Sequence, residues 1–404
     1  MSTMQPSNRE RASGDIASRI AKRIDGARLR VLIIGAGIAG ATLGALLRQR
    51  GELPAIIEKG GELDGEGYML GLLPLGGRVL NGLGLVAAYQ SASVPVSTYA
   101  LYDRHGRKIR SYRLGGLIDR YGVWRGIERG ALIELLRGAA GTIDYGTSVS
   151  KIRNTATATL VTFNDGSSAE FDLVVGADGI HSSTRSLILK PNDVQGYDTG
   201  WGGFVAWSSL HDQKIDVYRE MWSSGWRVGL YPVKDRLGMF LAGAHRMLAE
   251  RDVDSYANEI EARLPDGPFA RAVRMRDRSA GSFYWRMADC RTRIWRRGRT
   301  VLLGDAAAAF LPTAGVGASL AMDSAAALAD ELSRADVSHL DYALELYEKR
   351  QRRRVELAQA NSRSLSRFMF VNSRPAAWLR DQLMRVYTLK MLVRDISRVM
   401  SGYR

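Results

Sequence analysis

The chain has 404 residues, with 57 lysines and arginines against 42 aspartates and glutamates, a formal net charge of +15. Apolar residues make up 46 % and charged residues 25 %, which excludes a disordered, collagen-like or multispanning chain. The length predicts two or three domains at roughly 100–200 residues each. A lone cysteine, Cys290, excludes an intrachain disulfide and a thiolate metal cluster, reads as a structural thiol, and suits a reducing compartment.

The charge is concentrated at the ends. Residues 1–30 carry seven basic and three acidic groups and residues 341–404 carry fourteen and six, so the body between them is close to neutral. Nucleic-acid binding, the first suggestion of so basic a chain, is therefore not expected. Two readings of the ends stay open: solubilising charge on terminal helices, or weak peripheral contact of the basic C-terminal helices with an anionic membrane. The N-terminus has no apolar signal core, and the apolar-rich runs 31–47 and 314–329 are too short and too broken by glycine to span a bilayer. A cytoplasmic protein is expected, peripheral to a membrane at most.

Residues 1–14 read as disordered, and Ile16, Ile20 and Ile24, four apart, predict a short helix. Leu29–Ile34 is a compact apolar run ending at Gly35, the mark of a buried parallel strand. A helix over Gly40–Arg50, closed by Gly51, leads to a second short strand at Ala55-Ile56-Ile57, which completes a βαβ unit. A helix over 130–140 and a strand at Phe171–Val175 follow. Residues 195–245, rich in Trp, Tyr and Gly with short alternating runs, predict an antiparallel sheet. Thr300–Leu303 returns to a buried strand, Ala318–Leu332 is an alanine-rich helix, and the chain is helical from Tyr342 with a break near Pro375. In residues 375–400, Lys390, Arg394 and Arg398 recur on one side of an amphipathic helix. The fold class is α/β: a discontinuous Rossmann-like nucleotide domain, an inserted antiparallel sheet and a helical tail. The expected boundaries are 1–28 for a basic extension, 29–190 with 286–340 for the nucleotide domain, 191–285 for the sheet and 341–404 for the tail.

Three motifs carry chemistry. Gly35-Ala36-Gly37-Ile38-Ala39-Gly40 is a G-x-G-x-x-G placed directly after a strand and opening a helix, where the free N–H groups of that helix can bind a pyrophosphate. Gly35 allows the tight turn, Gly37 a close approach of phosphate, and Gly40 the packing of helix on strand. Glu58, at the end of the second strand, is placed to accept ribose hydroxyls and disfavours a 2′-phosphate, so the site suits FAD or NAD. The second motif runs from the strand Phe171–Val175 into Asp178-Gly179, with Ser182 and Arg185 at fixed offsets. The third is Thr300–Leu303 followed by Gly304-Asp305-Ala306-Ala307, then Pro312, Gly315 and Gly317 before the alanine-rich helix. A carboxylate at a strand end can hold a polyol hydroxyl, and a helix N-terminus can face an electron-rich heterocycle.

Together these segments resemble the class A flavoprotein monooxygenases, the family of para-hydroxybenzoate hydroxylase and the tetracycline-inactivating oxygenases, whose three fingerprints are G-x-G-x-x-G, D-G-x-x-S-x-x-R and G-D-A-A. Ile127-Glu128-Arg129 resembles the start of that family's flavin-contacting helix, Arg227–Pro232 its substrate-domain strand, and Tyr347–Arg353 the segment after the last flavin helix. The family usually has histidine after G-D-A-A, where this chain has Ala308. No W-x-W-x-I-P segment of the flavin halogenases is present.

The resemblance implies non-covalently bound FAD, NAD(P)H as a transient co-substrate, and oxygenation of a bulky aromatic or polycyclic small molecule through a flavin C4a-hydroperoxide. It assigns Gly35, Gly37, Ala39 and Gly40 to the pyrophosphate, Glu58 to the ribose, and Arg129 to a phosphate or ribityl oxygen. Val149 falls to the adenine, Asp178 to the nucleotide motif, Asp305 to the ribityl chain or phosphate, and Gly315, Val316 and Gly317 to the isoalloxazine. Trp207, Trp222, Tyr231 and Pro312 are expected at the substrate, with His211 and His245 read as structural or exposed. No catalytic residue and no metal ligand is assigned. An FAD-dependent reductase, dehydrogenase or epoxidase acting on a lipophilic isoprenoid is an alternative enzyme. A flavin-containing binding protein that sequesters a biosynthetic intermediate without turnover is the alternative of another class.

Overall fold

Three apolar segments far apart in the sequence, Val31–Ile34, Leu173–Gly176 and Thr300–Leu302, pair in parallel at the centre of a six-stranded sheet. The computed structural model describes residues 15–62, 67–114, 122–210 and 213–386. Ala55–Glu58 and Asp144–Tyr145 extend the sheet on one side, and Arg296–Arg297 closes the other as an antiparallel edge.

Both faces of this sheet are covered, which is why its strands read as unbroken apolar runs rather than alternating ones. On one face Ile33, Ile56, Val175 and Val301 pack with Leu43 and Leu47 of the helix Ile38–Gln49, Leu136 of the helix Arg129–Ala140, and Leu328 of the helix Gly317–Leu332. On the other, Leu32, Ile34, Ile57 and Val174 meet Phe163 and Phe171 of a small antiparallel sheet. That sheet is made of Val149–Asn154, Thr159–Phe163 and Ser168–Phe171. The same cluster buries Ile16, Ile20 and Ile24, the expected four-residue repeat. Asp15 caps their helix, Ile16–Arg23, by accepting from the Ser18 N–H at 2.7 Å.

The second large sheet has eight strands. Val194–Ser208, Val217–Trp222, Trp226–Pro232 and Leu237–Ala244 form its antiparallel centre, with Phe283–Thr292 against Val194–Ser208. It exceeds the expected 191–285 segment in two ways. Thr98–Tyr102 adds in parallel to Val217–Trp222 and brings Lys108–Arg113 with it, although both lie in the segment expected in the nucleotide domain. Phe283–Thr292 also runs through the expected 285/286 boundary to pair with Ala308–Ala309, just after the Gly304–Ala307 turn. A parallel pairing across more than a hundred residues leaves no local signal, because the strand needs only a short alternating pattern to join an edge. On the outer face Met239, Leu241, Val228 and Leu230 pack with Tyr256, Ile260, Phe269 and Val273 of two short helices.

Helix Leu340–Met369 spans both sheets, and Arg374–Val386 follows after a break at 370–373, with Pro375 in its first turn. The long helix is pinned by Arg363, whose guanidinium grips the fully buried carboxylate of Asp289 through two hydrogen bonds of 2.7 Å. Residues 1–14, the stretch holding Lys390, Arg394 and Arg398, and His211 lie outside the described residues. Among the described residues no helix is long and apolar enough to cross a membrane.

Removing one partner of a buried ion pair strands the other. Asp289→Ala should lower the unfolding free energy by about 3 kcal/mol, measured as a shift in the urea midpoint.

Candidate active site

The three motifs meet at the carboxyl ends of the three central strands. Ile34, Gly176 and Leu302 lie in one register line, so the turn after each strand opens on the same edge of the sheet. That edge borders a cavity of about 770 Å³ between the two sheets.

The first turn is built for close backbone packing. Gly35 has φ +103°, a conformation that disfavours any side chain, and its N–H donates to the Ile57 carbonyl at 2.8 Å. A Cβ on Gly40 would overlap the Gly35 carbonyl oxygen, whereas a Cβ on Gly37 would meet no atom within 4 Å. Gly37 caps the helix Ile38–Gln49 without a side-chain hydrogen bond, so the first-turn N–H groups are free to meet a ligand at an open surface. Glu58 accepts from the Ala36 N–H at 2.8 Å and the Gly60 N–H at 3.0 Å. Its carboxylate thus sits beside the glycine turn, with lone pairs left over.

Arg137, which carries no motif, supports the turn as well. Its Nε donates to the Ala36 carbonyl at 2.9 Å, and its guanidinium lies over the Tyr145 ring. The signal available in sequence was its spacing, two turns after Arg129 on the same helix. Arg129 lines the cavity with its guanidinium 5.5 Å from the Tyr68 ring centre.

Asp178 points away from the cavity. One of its oxygens accepts from the Ser182 hydroxyl at 2.5 Å, and the other from the Thr184 N–H at 2.9 Å and the Thr184 hydroxyl at 3.0 Å. It therefore shapes the turn that places Gly179 on the cavity wall. The arginine of the same motif, Arg185, is buried and donates to the carbonyls of Ile180 at 2.5 Å and Ala306 at 3.1 Å. Arg185 thereby ties the second motif to the third.

Asp305 follows in that third turn. It is open to the cavity and enclosed by protein on its other sides, and this burial raises its carboxyl to about 6 against the pull of Arg129 and Arg185. Gly315, Val316 and Gly317 line the cavity at the start of the sixteen-residue helix Gly317–Leu332. Ala308 is buried and pairs with Arg291 in the short strand that joins the two sheets. Cys290, its neighbour there, is buried too, and burial pushes the thiol up, away from thiolate character at neutral pH.

Of the expected substrate residues, Trp222, Tyr231 and Pro312 line the cavity and Trp207 does not. Trp207 lies under the Arg236 guanidinium at 3.8 Å, and Arg236 is held by Glu128 through bonds of 2.8 and 2.5 Å. Val149 sits half-buried in the small antiparallel sheet, away from the cavity wall. His245 bonds the Tyr284 hydroxyl at 2.6 Å, also off the wall.

Glu220, which falls in no motif, and Arg227, marked in the sequence only as the start of a strand, line the cavity as a buried ion pair at 2.6 Å. Trp222 Nε1 and the Tyr231 hydroxyl donate to the two oxygens of Glu220, each at 2.6 Å. The signal was there: both charges sit on strands whose other residues are almost all apolar or aromatic.

A strand–glycine turn–helix unit, a carboxylate closing the next strand, and a helix N-terminus across the cavity define a dinucleotide-binding flavoprotein. The chain belongs to the FAD-binding domain family, whose model matches residues 28–362. It is 28 % identical over 369 residues to the aurachin C monooxygenase/isomerase of Stigmatella aurantiaca, covering 89 % of this chain and 94 % of that protein. It is 29 % identical over 372 residues to the 3-amino-4-hydroxybenzoate 2-monooxygenase of Streptomyces cremeus, covering 88 % and 92 %. In fold it matches Klebsiella pneumoniae HpxO, solved with FAD and uric acid, at a TM-score of 0.84 and 24 % identity over 93 % of this chain and 97 % of that one. The protein is an FAD-dependent monooxygenase.

The raised carboxyl gives a pH signature. A group whose value rises from about 4 to about 6 on folding is held more easily protonated. Its contribution to the stability of the FAD-free protein is therefore fullest below about pH 4 and is lost as pH climbs to about 6. Asp305→Asn should abolish that part of the decline, seen as a smaller fall in apoprotein melting temperature between those pH values.

Proposed function

We propose that the protein oxygenates a bulky aromatic or polycyclic small molecule in the half of the cavity facing the eight-stranded sheet, with NAD(P)H and dioxygen as co-substrates. The observation that carries this is the division of one cavity. Its nucleotide end holds the glycine turn, Arg129 and Asp305, and its other end is walled by Trp222, Tyr231, Phe240 and Trp285. Such a wall suits a flat apolar ligand held by a few polar groups.

The residues present fit FAD. The open face of Gly37 and the free N–H groups of its helix suit a pyrophosphate, with Gly35 and Gly40 setting the turn and Ala39 beside it. Glu58 would take ribose hydroxyls, with Val149 toward the adenine, and Arg129 and Asp305 would take phosphate or ribityl oxygens. The N-terminus of Gly317–Leu332, with Gly315 and Val316, would bring positive potential to the isoalloxazine edge. Bound FAD supplies the redox chemistry by which electrons from NAD(P)H activate dioxygen. Asp178, through its cap on Ser182 and Thr184, keeps the cavity wall in place.

Water must be kept from this chemistry. Leu365, Phe368 and Met369 of the long helix and Met384 of the last helix form an apolar cover over the substrate end. We further propose that this cytoplasmic enzyme touches an anionic membrane weakly through its C-terminal region. Trp378, Leu379 and Val386 are exposed on the helix Arg374–Val386, which also carries Arg374 and Arg385.

Purified protein should be yellow and release FAD on denaturation. Turnover with a substrate under isotopically labelled dioxygen should place one labelled oxygen in the product, read by mass spectrometry. Unlabelled product would favour the reductase or dehydrogenase alternative. An absence of ligand-stimulated NAD(P)H oxidation would favour the non-turnover binding protein.

A further inference from the structure

The long helix Leu340–Met369 turns one face to the cavity, where Ala358, Asn361, Leu365 and Phe368 follow at helical spacing. The helix is tied down on both sides of Asn361. Gln359 Nε2 donates to the Cys290 carbonyl at 2.9 Å and to the Ala309 carbonyl at 2.6 Å. The Ser362 hydroxyl donates to the Leu311 carbonyl at 3.0 Å, and the Ser362 carbonyl accepts from the Thr313 hydroxyl at 2.9 Å. Asn361 is therefore carried on a rigid support, fixed to the segment that follows Asp305.

Asn361 itself makes no such bond. It lines the cavity half-buried, and neither end of its carboxamide is hydrogen-bonded among the described residues. A polar group so placed takes its partners from water or from a ligand. Two other donors on the wall lack acceptors, Trp124 Nε1 and Arg227 Nε, but both atoms are buried from solvent. Ser364, also on the wall, is exposed, and its hydroxyl can turn to the carbonyls of its own helix.

Along the cavity Asn361 stands where the two ends meet. One turn before it, Ala358 packs with Val316 and Leu320 at the start of the helix Gly317–Leu332. One turn after it, Leu365 joins the cluster around Trp222, and Phe368 stands edge-on to the Trp222 ring.

We infer that Asn361 is a specificity-determining residue that binds the substrate through both ends of its carboxamide, and that this substrate is an aromatic compound carrying a donor and an acceptor side by side, as a carboxamide or lactam does. An amide offers N–H and C=O at the spacing of the Asn361 carboxamide, so the two groups close a pair of hydrogen bonds. A ketone satisfies Nδ2 alone and leaves Oδ1 unpaired once water has been displaced. Two bonds from a rigid support also fix one orientation of the ring between the two ends of the cavity, which a single bond does not. This deepens the proposed monooxygenase function and rests on it.

The test uses the FAD-loaded enzyme and two probes of one shape, 2-naphthamide and 2-acetonaphthone, which differ by an amino group against a methyl group. Binding is followed by perturbation of the flavin absorbance. The wild type should bind the amide at least about tenfold more tightly than the ketone. Asn361→Leu keeps the side-chain volume and removes both hydrogen bonds. It should retain FAD as the wild type does, weaken the amide far more than the ketone, and erase the preference. General damage to the cavity would weaken both probes together and leave the preference standing. No preference in the wild type, no saturable binding of either probe, a preference that survives in N361L, or weakened FAD binding in N361L overturns the inference, the last because it places Asn361 on the cofactor. If N361L does not fold, Asn361→Ala, which adds nothing to the wall, decides by the same readings. An enzyme that retains FAD and oxidises NAD(P)H yet shows no preference fails this inference alone. A chain that holds no FAD fails the function on which it rests.

Discussion

The site depends on one constraint: three parallel strands end in register. Because Ile34, Gly176 and Leu302 pair side by side, three turns separated by well over a hundred residues open at the same edge. Ligands of open α/β sheets bind beyond the carboxyl ends of the strands, and this register decides which loops are there to meet them. The buried Arg185 secures the arrangement by donating from the second motif to the Ala306 carbonyl of the third. A slip of one residue in any of these strands would also exchange the two apolar faces, and each face is buried under different neighbours.

The cavity that results is electrostatically divided. At the nucleotide end Arg129 and Asp305 line the cavity wall, and the protein packed around Asp305 raises its carboxyl, so this end offers charged groups to a polar ligand. At the far end the charges of Glu220 and Arg227 cancel at contact distance. A buried ion pair is weak evidence for stability, since the loss of hydration offsets much of the attraction. Its place on the wall of an aromatic chamber suits recognition better than scaffolding.

Much of the nucleotide half was legible in the residues. The apolar runs, the glycine spacing and Glu58 each have a local cause: a strand buried on both faces, a turn that excludes side chains, a carboxylate at a strand end. The substrate half was less so. Tyr231 and Trp222 were recognisable as aromatics in a sheet, but Trp207 had the same credentials and is covered by Arg236 instead. The role of Asp178 was also hidden, because a carboxylate in a turn can face a ligand or cap a helix, and only the positions of Ser182 and Thr184 decide.

By itself the sequence determined the βαβ beginning, the three motifs, their order and hence the class of cofactor, because those features act within a few residues of one another. The tertiary structure alone decided that Thr98–Tyr102 joins the second sheet, that the helices from Leu340 to Val386 cover the chamber, and that Glu220 meets Arg227 across a hairpin. Those outcomes turn on which surfaces remain to be buried once the local elements exist. Chain-distant packing and the pairing of buried charges settle that, and neither has a period or a spacing to be read.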